Sequence, residues 1–174
     1  MAHRRFEFVM PSTEGVVFDA FHYHCWRQRW DSLVRATRVQ GDAPCPYVGA
    51  VTDSAGAGAL RQLSMKTRFV AFERPRVAAA MMIGRSFPFR SWAASMRHRP
   101  AGAGRSLLIY TYTFEVGPRP LRWLLEPPVA FVFDWQTRRR FARLRSFLLD
   151  HAGEIEQWQR AGAESAPSFR GASS

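Results

Sequence analysis

The sequence predicts one α+β domain. A curved antiparallel sheet of about six to seven strands wraps around a long C-terminal helix, with two short helices after the first strand. Three observations predict it. Leu107-Leu-Ile-Tyr-Thr-Tyr-Thr-Phe-Glu-Val116 alternates strictly, placing Leu108, Tyr110, Tyr112, Phe114 and Val116 on one face. A helical pattern over about 129–149 carries the stripe Phe133, Thr137, Phe141, Leu144 and Leu148, which suits it to cover that aromatic face. The strands between are joined by short turns that leave no room for crossover helices, so their order is antiparallel.

The elements follow in order. Residues 3–10 alternate, with Phe6, Phe8 and Met10 opposite Arg5, Glu7 and Val9, and Pro11 ends this first strand. Ser12 or Thr13 caps a helix with Glu14 in its first turn, and Val17, Phe18, Phe21 and Cys25 continue at helical spacing. The helix is expected to break and restart before Trp30-Asp31-Ser32-Leu33, giving two short helices in a V. A second strand is read over 33–39, closed by Gly41-Asp42, and a short one near 47–51. Asp53-Ser-Ala-Gly-Ala-Gly58 reads as a turn or flexible tip.

Residues 59–73 form a strong strand, with Leu63, Met65, Thr67, Phe69 and Ala71 facing one way. Further strands are expected over 77–83 and 91–99, the latter presenting Trp92, Ala94, Met96 and His98 together. Pro100-Ala-Gly-Ala-Gly104 is the hairpin loop into the strand at Leu107. Pro118, Pro120, Pro127 and Pro128 bracket a separate helical turn at 121–125, and the long helix is expected to begin near Pro128. The composition predicts a single domain over 1–158 and a disordered, Ala/Gly/Ser/Pro-rich tail over 159–174.

At 174 residues with 47% apolar and 22% charged content, the chain can bury a sizeable core. Its formal charge is +11, and of 25 basic residues only Lys66 is lysine, the other 24 being arginine. Such a ratio reflects a GC-rich genome as much as function, although the surface will attract anions. Cys25 and Cys45 lie outside any CxxC pattern, and the N-terminal residues form a strand pattern where a secretory signal would have an apolar core. Both features lead to the expectation of reduced thiols and a cytoplasmic protein. No apolar run approaches the ~18–20 residues of a membrane span.

The chain resembles the SRPBCC superfamily of START-like, helix-grip proteins, and within it the polyketide cyclase/dehydrase-like branch. The resemblance rests on Phe6-Glu-Phe-Val-Met-Pro-Ser-Thr13 leading into Val16-Val-Phe-Asp-Ala-Phe21 and on the step Arg29-Trp-Asp31. It rests also on Tyr110-Thr-Tyr-Thr-Phe114 and on the proline-rich approach to a terminal helix with Arg140-Phe-Ala-Arg-Leu-Arg-Ser-Phe-Leu148. It implies an apolar pocket between sheet and helix for a lipid, polyketide or other hydrophobic small molecule. Relatives include carriers, regulators and enzymes, and no shared catalytic residue transfers.

The residues expected to contact such a ligand are Trp30, Met65, Trp92, Met96, Tyr110, Tyr112, Phe131 and Trp135. Inward phenols can anchor a polar group, and thioethers adapt to irregular shapes. The same side chains can instead fill the core themselves. Trp26 and Asp31 are placed to shape one end of the pocket, although Asp31 is equally placed to cap the following turn. If the protein is an enzyme, Tyr110, Tyr112 and His98 are the acid/base candidates, though no orienting carboxylate is evident beside them. His22-Tyr23-His24-Cys25 does not supply the three or four ligands of a zinc site, and neither metal nor cofactor is expected. Arg138, Arg139, Arg140, Arg143 and Arg145 are suited to an anionic surface, but no nucleic-acid-binding pattern accompanies them. Three functions stay open: a binding or carrier module, a cyclase-type enzyme, and a basic interaction protein with a filled core.

Overall fold

The computed structural model describes residues 1–32, 34–39, 43–56 and 64–162. Strand β1 (Ala2–Met10) is followed by helices α1 (Glu14–His22) and α2 (His24–Trp30). Strands β2 (Val34–Val39), β3 (Val51–Gly56), β4 (Ser64–Glu73), β5 (Val77–Met82), β6 (Phe89–Pro100) and β7 (Ser106–Val116) come next. A 3-10 turn (Arg119–Leu121) then leads into α3 (Arg122–Arg160). The strands form one seven-stranded antiparallel sheet in the order β1-β7-β6-β5-β4-β3-β2. The meander β2 to β7 follows from its short turns, and β1 closes onto β7 with Phe6 opposite Tyr110 and Arg4 opposite Tyr112.

The alternation read from the sequence sets which face is buried. Phe6, Met10, Leu108, Tyr110, Tyr112, Phe114 and Val116 are buried, whereas Val9 is exposed. The hairpin between β6 and β7 turns on Gly102 (φ 102°) and Gly104 (φ 65°), with the Ala101 N–H donating to the Arg105 carbonyl at 3.0 Å. Both φ values disfavour any residue with a Cβ. On α3, Thr137, Phe141, Leu144 and Leu148 of the expected stripe are buried and Phe133 is half-buried.

Several boundaries differ from expectation. The helix break falls at Tyr23 (φ −76°, ψ 127°), seven residues before Trp30. The His24 N–H donates to the Pro44 carbonyl at 3.0 Å, not to Ala20 one turn back, and the freed Ala20 carbonyl accepts the Trp30 indole N–H at 2.9 Å. Two contacts from elsewhere in the chain thus replace one intrahelical bond. The segment read as a turn from Asp53 is strand through Gly56, paired on both sides, while Tyr47-Val48-Gly49 makes the turn. Strand β6 starts two residues early, at Phe89, across a bulge. Leu33 at the start of the expected second strand, Gly41-Asp42 at its close, the end of the expected turn at 57–58 and the first residues of the expected strand at 59–63 lie outside the described residues.

The largest correction concerns α3, which spans 39 residues and runs through Pro127 and Pro128. Those prolines remove only the N–H groups that would reach the Trp123 and Leu124 carbonyls, near an exposed helix start. At its other end α3 continues to Arg160, beyond the expected stop at 149, because Ile155 and Trp158 are buried against the rest of the core. Gln159, placed in the tail by composition, donates to Asp19 at 2.6 Å, and Arg74 Nε donates to the same buried carboxylate at 2.7 Å. Residues 163–174 of the expected tail lie outside the described residues. Gln159→Ala should therefore lower stability by about 1.5 kcal/mol, the scale of a hydrogen bond to a charged group. Urea unfolding monitored by tryptophan fluorescence checks this, and an unchanged midpoint would contradict it.

Candidate functional site

The floor of the candidate site is the inward face of β4 to β7. Tyr110 lies opposite Met96, Tyr112 opposite Ala94, and Phe114 opposite Trp92, while Ala94 lies opposite Ala80 and Met96 opposite Ala78. Small residues therefore occupy the middle of the floor. The roof is α3, which packs chiefly on β1, β7, α1 and α2. Under that part of the helix the space is filled by touching rings. Phe141 lies 4.8 Å from Phe8, 5.2 Å from Tyr110 and 5.9 Å from Phe21, and Phe133 lies 5.0 Å from Tyr112. Further across the sheet the covering thins: Met65, Phe69, Ala80, Trp92 and Ala94 face inward yet remain partly accessible.

Polar atoms are set into this apolar surface. The Trp92 indole N–H and both ring nitrogens of His98 are buried without a hydrogen-bond partner among the described residues. Burial holds the His98 imidazole down at about 4, so it is neutral at pH 7. His22 nearby is held at about 3 by burial, opposed by its Nδ1 contact with the Phe18 carbonyl at 2.9 Å. At the edge towards β1, the Tyr112 hydroxyl donates to Asp134, whose other oxygen accepts from Arg4 Nε at 3.3 Å. Burial, then the Asp134 carboxylate, raises the Tyr112 phenol far above its ordinary value, so it serves as a proton donor in hydrogen bonds and not as a base.

Where the end of α2 meets α3, Asp31 Oδ2 accepts from Arg27 Nε at 3.0 Å and from Arg140, whose Nε lies at 3.1 Å. The Asp31 side chain is 1% accessible, Arg27 14% and Arg140 19%. Burial pushes the Asp31 carboxyl up, but Arg140 and Arg27 outweigh it and hold it below the usual carboxylate range. Burial pulls the Arg27 guanidinium down to about 10, with Arg140 adding to the shift. Both guanidinium carbons sit over the Phe21 ring, at 4.9 and 4.8 Å.

Six of the residues expected from sequence to contact a ligand belong to this interior. Met96, Tyr110 and Tyr112 are buried on the floor, Met65 and Trp92 are half-buried, and Trp30 is buried against Phe21 with its indole on Ala20. Phe131 and Trp135 are not part of it. They are 74% and 52% exposed on the outer side of α3, and Trp135 stacks under Arg139 at 5.2 Å. Each lies two residues from Phe133, about 200° around the helix, so they could not share its inward face. Sequence reasoning missed Asp134 and Arg27, and it placed Arg140 with the arginines suited to an anionic surface, whereas Arg140 is drawn inward by the buried Asp31 carboxylate. A separate groove of about 640 Å³ lies between Met1, Arg4, Arg122, Trp123, Glu126 and neighbouring residues, and holds none of the expected contact residues. Among the described residues no group of three or more His, Cys, Asp or Glu side chains comes together to hold a metal ion.

No protein-family model matches the sequence, and no curated protein matches it. Solved structures do match. Ara h 8.0201 superposes with a TM-score of 0.64 at 12% identity, covering 86% of this chain and 98% of its own. The fold is helix-grip. XoxI from Bacillus cereus shares this helix-grip fold with a TM-score of 0.62 at 15% identity, over 86% and 97% of the two chains. Norcoclaurine synthase from Thalictrum flavum, in complex with dopamine and hydroxybenzaldehyde, matches at 0.60 and 13% identity, over 86% and 87%. Among the described residues no helix is long and apolar enough to cross a membrane.

Proposed function

We propose that the chain binds a hydrophobic small molecule, such as a lipid, polyketide or other aromatic or isoprenoid-like compound, between the sheet and α3, as a carrier or binding module in the cytoplasm. One observation carries this reading: Ala80 and Ala94, paired at the centre of the inward floor, keep accessible surface where a filled core would bury them. Pockets for small molecules are lined mainly by apolar and aromatic groups with a few polar anchors. Trp92 and His98, with their unpartnered nitrogens, supply such anchors on β6. The helix-grip norcoclaurine synthase that holds dopamine and hydroxybenzaldehyde supports the reading by analogy of fold. Native mass spectrometry of the purified protein is expected to reveal a co-purified hydrophobic molecule, or 1:1 uptake of fluorescent lipid or polyketide probes after delipidation. Ligand-free protein that also refuses every probe would overturn the proposal.

A second reading, a polyketide cyclase/dehydrase-like enzyme, is favoured by the Tyr112–Asp134 contact, which supplies the orienting carboxylate the sequence did not reveal. Under this reading, Tyr112→Phe should lower turnover of a polyketide-like substrate about a hundredfold while sparing its affinity, the scale of one proton-transferring group. Equal turnover in parent and variant would remove that role. Tyr110→Phe and substitutions at His98 test the other two candidates in the same assay.

A further inference from the structure

Asp31 holds two guanidinium groups with one carboxylate oxygen. A clasp between α2 and α3 needs only one arginine, and Arg140 already provides it through both Nε and a terminal nitrogen. Arg27 contributes only Nε to Asp31, and its two terminal nitrogens have no hydrogen-bond partner among the described residues. One terminal nitrogen of Arg140 likewise has no partner among the described residues. The cluster therefore carries one positive charge more than it neutralises, at side chains that are 14% and 19% accessible. Its surroundings are aromatic. Phe21 lies against both guanidiniums, and the Tyr110 hydroxyl, which feels both charges, has no hydrogen-bond partner among the described residues.

An uncompensated cation with free N–H groups in an apolar enclosure favours an anion strongly, because little water remains to compete. A guanidinium fork matches a planar, two-oxygen acceptor. We propose that Arg27 and Arg140, held by Asp31 and faced by the Tyr110 hydroxyl, form an anion subsite at the α2–α3 end of the interior, and that the ligand carries a carboxylate on a hydrophobic body. Charge balance selects the carboxylate. One negative charge neutralises the cluster, whereas a phosphate monoester dianion would leave an excess negative charge buried there.

The inference rests on the ligand-binding reading above, and the test separates the two. Delipidated full-length protein is titrated with cis-parinaric acid and with its methyl ester, each followed by its polyene fluorescence. The acid is expected to bind about tenfold or more tightly than the ester, the scale of a charge-assisted hydrogen bond. Arg27→Met should weaken the acid about tenfold and leave the ester unchanged. Tyr110→Phe, which removes one hydroxyl and keeps the ring, should weaken the acid alone by a smaller factor. Arg139→Met, a charge lost from the outer side of α3, should change neither. Equal affinity of acid and ester in the parent protein would overturn the inference and leave the ligand-binding reading standing. Equal weakening of acid and ester by Arg27→Met would also overturn it, by assigning that arginine to packing. Binding of neither compound would overturn both.

Discussion

Asp31→Asn is expected to lower the melting temperature by roughly 10 °C, corresponding to about 3–5 kcal/mol for breaking a buried ion pair in a domain of this size. The substitution is nearly isosteric, so the loss is electrostatic. With the carboxylate gone, Arg27 and Arg140 face one another over the Phe21 ring with nothing of opposite charge between them. Burial, with Arg140 adding to it, already holds the Arg27 guanidinium down at about 10. Glu154→Gln is the matched control, since it breaks the Arg29–Glu154 pair at 2.8 Å whose carboxylate side chain is 51% accessible. Exposed pairs contribute little, and that variant should melt with the parent protein. Thermal unfolding by circular dichroism compares the two. An Asp31→Asn variant that melts within about 2 °C of the parent would show that water reaches the cluster freely.

The second large effect is acid destabilisation beginning well above the carboxylate range. Burial holds His22 at about 3 and His98 at about 4 in the folded chain, against the ordinary 6.5 of an imidazole. Both folded values are depressed, so below pH 6.5 the unfolded chain binds protons that the folded one refuses. Stability is therefore full above pH 6.5 and falls as the pH drops towards 4. By pH 5 each histidine withdraws about 2 kcal/mol, since one pH unit below the unfolded value corresponds to about 1.4 kcal/mol. Asp31, whose carboxyl is held low, adds its loss only below about pH 4. His98→Leu should remove one histidine's share of the slope of unfolding free energy against pH between 6.5 and 5, while His22 and the partly buried His24, also lowered by burial, keep theirs. It removes two unpartnered ring nitrogens and should cost little at pH 8. Urea titrations at four pH values measure the slope, and identical slopes in parent and variant would contradict the account.

Much of the fold was legible because a strand alternates and a helix repeats. Tyr110, Tyr112 and Phe114 on one face of β7, and Phe141, Leu144 and Leu148 on one stripe of α3, follow from local periodicity alone. The break at Tyr23 was not legible, since it depends on the Pro44 carbonyl and the Trp30 indole, each supplied by another part of the chain. The passage of α3 over Pro127 and Pro128 ran against the usual meaning of those residues.

The site was legible only in its apolar part. Asp134 lies four residues after Ala130 and three before Thr137, both buried, so the inward stripe itself pointed to it. A charged residue in an apolar stripe was the signal to follow. Arg140 carried the same signal, three residues after Thr137 and four before Leu144, both buried, and Arg27 stands one helical turn before Asp31; what no local pattern supplied was the meeting of Arg140 with Asp31, 109 residues away in sequence. Phe131 and Trp135 were chosen for their chemistry against their helical phase, and phase decided their position.

The claim on which the account turns is that the floor around Ala94 faces unoccupied space, and Ala94→Trp measures it. If the space is there, the indole fills it: the melting temperature holds or rises, and the 1:1 uptake of a hydrophobic probe expected of the parent protein disappears. If the protein's own rings already occupy the interior, the added bulk overpacks it at a cost of about 1–3 kcal/mol. A clear fall in melting temperature, in a chain whose parent binds no probe, is the result that would contradict the account.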